Sequence, residues 1–201
     1  MADELKGKRI AILVANEGIE RIELTEPRKA LEQAGAQVDL IAPEGGTVQA
    51  FDHLDKADTF PVDRTTREAS ADDYDGLMLP GGVANPDALR MHEDAVALVA
   101  AFVNAGKPIA AICHAPWTLV QADAVRGRTL TSWPSLQTDI RNAGGTWVDQ
   151  EVVVDEGLVT SRGPDDLPAF NAKMIEELAE GAHEVRERAE PARFEKSAIL
   201  S

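Results

Sequence analysis

Four short apolar runs, separated by helix-length segments and glycine-rich turns, restrict the fold of this chain more than any other feature. Arg9-Ile10-Ala11-Ile12-Leu13-Val14-Ala15 is apolar at successive positions, not at alternate ones. A strand of that pattern is buried on both faces, as happens where helices cover a parallel sheet. Gln37 to Ala42, closed by Pro43, is a second run; Asp75 to Leu79, closed by Pro80-Gly81-Gly82, is a third; Pro108 to Ile112 is a fourth. Helical periodicity lies between them. Leu24, Ala30, Leu31 and Ala34 mark a stripe from about Ile22 to Ala34, with Gly35 as the stop. Leu89, Val96, Val99, Ala100 and Val103 mark another from about Pro86 to Ala105, stopped by Gly106. Strands and helices in alternation give an α/β layered fold around a parallel sheet.

The rest of the chain fits the same frame. Residues 44–70 are the least regular; Val48 to Phe51 and Thr59 to Val62 suit a small hairpin or edge excursion. A helix is expected after Cys113 to about Ala124, and another from Ser135 to Ala143, ended by Gly144-Gly145. Trp147-Val148, Val152 to Val154 and Leu158 to Thr160 read as short strands, the last two joined by a tight turn at Glu156-Gly157. A last helix spans Asp166 to Ala179. Residues 1–180 are thus expected to form one domain, and 181–201 a charged extension of it or a mobile tail.

Charge narrows the function classes. The chain has 35 acidic and 20 basic residues, a net charge of −15. Nucleic acid and anionic membrane surfaces both call for a basic footprint, so neither is an expected partner. The first residues lack the apolar core of a signal peptide, and no apolar run is long enough to span a bilayer. One cysteine cannot close an intrachain disulfide, which suits a reducing compartment. The expected location is the cytoplasm.

That cysteine, Cys113, stands where the fourth strand should end and a helix should begin, in Ile112-Cys113-His114-Ala115-Pro116. A lone cysteine is often only a small buried hydrophobe. The abrupt change from an apolar run to Cys-His, with Pro116 at an early helical position, favours a nucleophile elbow instead. Unpaired N–H groups and the positive end of a helix would then favour the thiolate.

Other candidates fall at the carboxyl ends of strands, where sites form in such sheets. Pro80-Gly81-Gly82 allows close backbone approach; the Gly82 N–H, with that of His114, would make an oxyanion hole, although a plain turn also needs glycine. Glu20 and Glu23, three apart at a helix start, can share a face. One of their carboxyls, with its pKa raised by apolar surroundings, could hydrogen-bond the thiolate and carry a proton. His114 becomes a base if a carboxylate orients it, and Asp87 is the candidate. His53, His92 and His183 read as isolated, so no metal-ligand spacing is expected, and no cofactor.

Two elbow folds fit poorly. An α/β-hydrolase needs glycines flanking the nucleophile and an acid and histidine downstream, whereas Ala111 and Ala115 flank Cys113. Class I glutamine amidotransferases need a downstream His-x-Glu, and His183-Glu184 lacks that spacing. A third family fits. Gly18-Ile19-Glu20-Arg21-Ile22-Glu23-Leu24, Leu79-Pro80-Gly81-Gly82-Val83-Ala84-Asn85-Pro86-Asp87, Ala111-Ile112-Cys113-His114-Ala115-Pro116, Arg126-Gly127-Arg128, Val152-Val153-Val154-Asp155 and Thr160-Ser161-Arg162-Gly163-Pro164 occur in order. Together they resemble the ThiJ/PfpI superfamily, in particular its PfpI-type intracellular cysteine proteases and general stress proteins, over about residues 9–180.

The resemblance implies a flavodoxin-like three-layer sandwich with a mostly parallel sheet, of the general kind that class I glutamine amidotransferases also use. It implies Cys113 as nucleophile, Glu23 as the acid against the thiol with Glu20 close by, and His114 with Asp87 as the remaining triad members. It implies that the acid reaches its histidine across a subunit interface, hence a homodimer or hexamer. The implied substrates are small electrophilic carbonyls or peptides; the alternative is a thiol-based redox sensor or chaperone-like stress protein with little or no turnover. Asp87 is one methylene shorter than the family glutamate, and Ala115 replaces a glycine, its methyl expected to narrow the space beside the sulfur.

Overall fold

The apolar runs become the central strands of a computed structural model that describes residues 3–184. In chain order the elements are β1 (Arg9–Leu13), β2 (Glu17–Glu20), α1 (Arg21–Gln33), β3 (Gln37–Ala42), β4 (Thr47–Asp52), β5 (Asp55–Pro61) and β6 (Arg64–Thr65). Then come β7 (Gly76–Leu79), α2 (Ala84–Leu89), α3 (Glu93–Asn104), β8 (Ile109–Ile112) and α4 (Pro116–Gln121). The chain continues through β9 (Thr129–Leu130), α5 (Gln137–Asn142), β10 (Thr146–Trp147), β11 (Val152–Asp155), β12 (Leu158–Ser161) and α6 (Leu167–Glu180).

Seven strands form the main sheet in the order β11-β12-β8-β7-β1-β3-β6. All neighbours are parallel except β11 and β12, which form the hairpin expected at Glu156-Gly157. β1 pairs with β3 from Arg9↔Gln37 to Leu13↔Ile41, and with β7 from Ile10↔Gly76 to Ile12↔Met78.

Successive side chains of a strand point to opposite faces, so unbroken apolar runs feed two cores. Ala11, Leu13, Leu77, Leu79 and Ala111 pack with Leu98 and Phe102 of α3 and Leu119 of α4. Ile10, Ile12, Met78, Ala110 and Ile112 pack with Leu24 and Leu31 of α1 and Phe170, Met174 and Leu178 of α6. This is the expected α/β sandwich. Among the described residues, no helix is long and apolar enough to cross a membrane.

Three details differ from expectation. The stripe over 86–105 is two helices, because the chain turns at Met91 and His92, whose N–H groups donate to Ala88 O and Leu89 O. His92 is extended, and the acidic Glu93 and Asp94 open α3, as the helix dipole favours. Leu89 and Val96 are seven apart, about two helical turns, so the stripe stays in register across the break. Next, β2 precedes α1 and pairs with β4, which pairs antiparallel with β5. Four mostly polar residues are too short a signal for periodicity to detect. Last, α4 ends at Gln121, short of Ala124, where Asp123 takes a φ of 51°. Residues 181–184 of the charged extension are irregular, and 185–201 lie outside the described residues.

Candidate active site

Between the end of β8 and the start of α4, Cys113, His114 and Ala115 make the whole turn. Cys113 adopts φ +62°, the left-handed region, which costs a residue with a side chain on the order of 1–2 kcal/mol. Main-chain bonds hold it there. Cys113 N–H donates to Ser161 O (3.0 Å), Trp133 N–H to Cys113 O (2.8 Å) and Ala115 N–H to Ile112 O (3.1 Å). The strained turn sets Cys113 at the carboxyl end of β8, directly before α4.

Glu23, in the first turn of α1, is fully buried. Its Oε2 accepts the Gly81 N–H at 3.0 Å, and its buried Oε1 has no hydrogen-bond partner among the described residues. Gly81 is what lets carboxyl and thiol approach each other: a Cβ there would lie 2.6 Å from both Cys113 Cβ and Glu23 Oε2. Gly82 has φ +81°, and a Cβ on it would strike the Gly18 carbonyl oxygen.

Burial pushes Glu23 up to about 7, an effect the neighbouring Cys113 thiol partly offsets. Burial also pushes the Cys113 thiol up, and the negative charge of Glu23 adds to that; the N–H groups of Gly82 and His114 work in the opposite direction. Desolvation therefore outweighs the helix-start donors that the sequence points to. A proton on Glu23 removes its charge and with it one of the obstacles to a thiolate, so the two groups compete for protons.

His114 is also buried. Its Nδ1 lies 3.2 Å from Cys113 Sγ and its Nε2 3.4 Å from Ser135 Oγ. Trp133 stacks on the ring at 5.8 Å, and Trp117 meets it edge-on at 5.4 Å. Desolvation holds the imidazole below its usual pKa, so it is neutral near pH 7.

The remaining candidates sit apart. Asp87 is exposed on α2, and within the chain no hydrogen bond joins it to His114; Ser135 stands at that nitrogen instead. Glu20 Oε2 accepts the His53 N–H at the tip of the β4–β5 hairpin (3.1 Å), and its charge helps raise Glu23. Ala115 packs in the core under α3 and α4, whereas Cys113 belongs to the core under α1 and α6. The methyl that sequence placed beside the sulfur thus points into the other layer.

Sequence reading missed Asn85. Its buried side chain accepts the Ala15 N–H (2.7 Å) and donates to Pro80 O (2.8 Å) and Gly81 O (3.0 Å). It locks the loop after β7 to the end of β1. Trp133 and Ser135 were missed too, since nothing in sequence ties them to a histidine some twenty residues earlier.

The sequence profile of the DJ-1/PfpI family matches residues 8–177. The chain belongs to the DJ-1/PfpI family. Within the family, it is 42% identical over 169 residues to protein/nucleic acid deglycase 2 of Escherichia coli, covering 84% of this chain and 96% of that protein. It is 40% identical over 171 residues to general stress protein 18 of Bacillus subtilis, again 84% and 96% of the two chains. Among solved DJ-1 structures, DJ-1beta of Drosophila melanogaster superposes with a TM-score of 0.77 at 30% identity, over 86% of this chain and 90% of that one. The DJ-1/PfpI sandwich with its mostly parallel sheet is thus the fold of this chain.

Proposed function

We propose that this chain is a cysteine-dependent hydrolase of stress protection that acts on small electrophilic carbonyls, in the manner of a glyoxalase or deglycase. The observation that carries the reading is the Cys113 sulfur, held on a left-handed turn 3.2 Å from His114 Nδ1 and coupled to the buried Glu23. The deglycase and stress-protein names of its relatives support it.

In the proposed reaction Sγ attacks an aldehyde carbon. The S–C bond forms as the C=O π pair moves onto oxygen, where the N–H groups of Gly82 and His114 receive the charge. The thiol proton passes to the neutral His114 Nδ1. Glu23, with its pKa near 7, gives a proton to the new alkoxide and takes one from carbon. With methylglyoxal, Glu23 returns that proton to the adjacent carbon while the hydroxyl proton on the first carbon moves to the neighbouring oxygen; water then cleaves the resulting lactyl thioester and releases lactate and the thiol. Cys113 is only 6% exposed, which suits small carbonyls better than long peptides, so peptidase activity ranks second. The test is methylglyoxal consumption, alongside casein cleavage, by wild type and Cys113→Ala; equal rates would remove the enzyme.

The proposal includes self-association as a homodimer or hexamer. Asp87 lies exposed on α2, flanked by Val83 (58% exposed) and Met91 (81% exposed). Such a surface suits an interface through which the acid reaches the site of a second copy. Solution mass checks this, and a monomer at working concentration would refute it.

The runner-up is a thiol redox sensor. It is favoured by the Glu23 Oε1 atom, which is free to donate to an oxygen added on sulfur when it holds the proton. Intact-mass analysis after mild peroxide decides this, and no oxygen on Cys113 would end the sensor reading.

A further inference from the structure

The opposite end of the sheet carries a second cluster, built by the last turn of α6 and the residues that leave it. Glu177 and Glu180 are three apart on α6, so they share a face. Gly181, at φ +92°, ends the helix, and the chain then brings His183 back towards them. One ligand atom from each of Glu177, Glu180 and His183 lies within 4.8 Å of the other two. His183 is fixed from both sides. Its N–H donates to Gly106 O at 2.8 Å, and its ring packs on Gly157, where a Cβ would lie 2.7 Å from His183 Cδ2.

Glu177 is only 7% exposed. Its Oε2 lies 3.1 Å from His183 Nε2; both atoms are buried, and neither makes a hydrogen bond among the described residues. Buried polar atoms without hydrogen bonds are costly, and a cation held between these two would satisfy both. Two ligands on one tetrahedral cation, with bonds of about 2.0–2.1 Å, sit roughly 3.3 Å apart, close to the spacing seen here. The negative end of the helix dipole also favours a cation at this point. Two lysines stand near: Lys173 pairs with Glu176 at 2.6 Å while its charge also reaches Glu177 and Glu180, and Lys8, 3.7 Å from Asp75, has its Nζ 3.8 Å from where a Gly181 Cβ would lie.

We propose that Glu177, Glu180 and His183 bind one divalent cation of the zinc type, with water completing the tetrahedron. The ion clasps the end of α6 to the turn between β11 and β12 and to the residues after α3. One imidazole and two carboxylates suit zinc, whereas calcium and magnesium prefer all-oxygen shells. Glu180 is exposed and has the freedom to close the last distance. The family profile ends at residue 177, so two of the three ligands lie beyond it, and the site does not depend on the chemistry proposed for Cys113.

The test uses the full chain, freed of metal by a chelator, and zinc alone as the probe. Calorimetry is expected to give one equivalent bound, and Zn2+ at 100-fold over its Kd to raise Tm by roughly 5–10 °C. Cys113→Ala keeps both effects, while Glu177→Gln and His183→Ala lose them. Cobalt absorption in the visible, with circular dichroism to verify folding, supplies a readout that does not rely on stability. No zinc response in the wild type overturns the proposal and leaves a plain Glu177–His183 ion pair. Binding that survives His183→Ala but vanishes in Cys113→Ala also overturns it, by placing the ion on the thiol.

Discussion

The two ends of the central sheet each hold a buried glutamate on the same layer, yet they suit opposite charges. Glu23 lies in the first turn of α1, beside a sulfur towards which the N–H groups of Gly82 and His114 are directed. Glu177 lies in the last turn of the adjoining α6, facing a histidine. Helix starts expose unpaired N–H groups, and helix ends expose unpaired carbonyls. Under the two proposals the same side chain would serve proton transfer beside a thiol at one end and a cation at the other. What differs is the polarity of the backbone around it.

Cys113→Ala tests the first end most severely. Methylglyoxal consumption is expected to fall about 10³-fold or more while the fold persists. A rate within tenfold of wild type would remove the nucleophile from the comparison.

Gly81→Ala comes next, because its Cβ would meet Cys113 Cβ and Glu23 Oε2 at 2.6 Å. The expected loss is about 2–4 kcal/mol in denaturant unfolding, with activity falling alongside. Gly45→Ala is the control: its Cβ meets nothing nearer than 3.9 Å, and stability should stay within about 0.5 kcal/mol.

Glu23→Gln sharpens the electrostatic side. Burial raises this carboxyl from 4.5 to about 7, so the folded chain holds the proton more tightly than the unfolded one. The stability it contributes is complete below pH 4.5 and is lost as pH rises through 7. Glutamine cannot ionise, so the variant should gain about 2 kcal/mol more over wild type at pH 8 than at pH 5. Urea unfolding at both pH values measures this, and an equal difference would deny Glu23 that proton. His114 acts in the reverse sense in both proteins: its lowered pKa costs stability as pH falls below 6.5.

Ser135→Ala is the mildest change. It removes a contact at 3.4 Å from His114 Nε2, and kcat should fall by less than about tenfold. A 10³-fold loss would make Ser135 a full member of the triad.

The central strands were legible because β1, β7 and β8 are buried on both faces, and burial on both faces leaves an unbroken apolar run. The strand-to-helix turn at Cys113 was legible because proline follows cysteine closely after such a run. The break between α2 and α3 was hidden, since Leu89 and Val96, seven apart, keep the apolar stripe in register across Met91 and His92. Strand β2 was hidden by its polarity. Asn85 was invisible as a clamp, because its partners at Ala15, Pro80 and Gly81 come from two separate strand ends.

Sequence alone determined the layered sheet and which residue could be its nucleophile, because periodicity and turn chemistry are local properties. Only the tertiary structure decided the charge each group holds. Burial raises Glu23 and Cys113 and lowers His114, and folding sets Ser135 and not Asp87 against the imidazole within the chain. Folding also carries His183 to Glu177, which no spacing in the chain announces. Desolvation depends on everything packed around a group, and that environment is assembled from segments far apart in sequence.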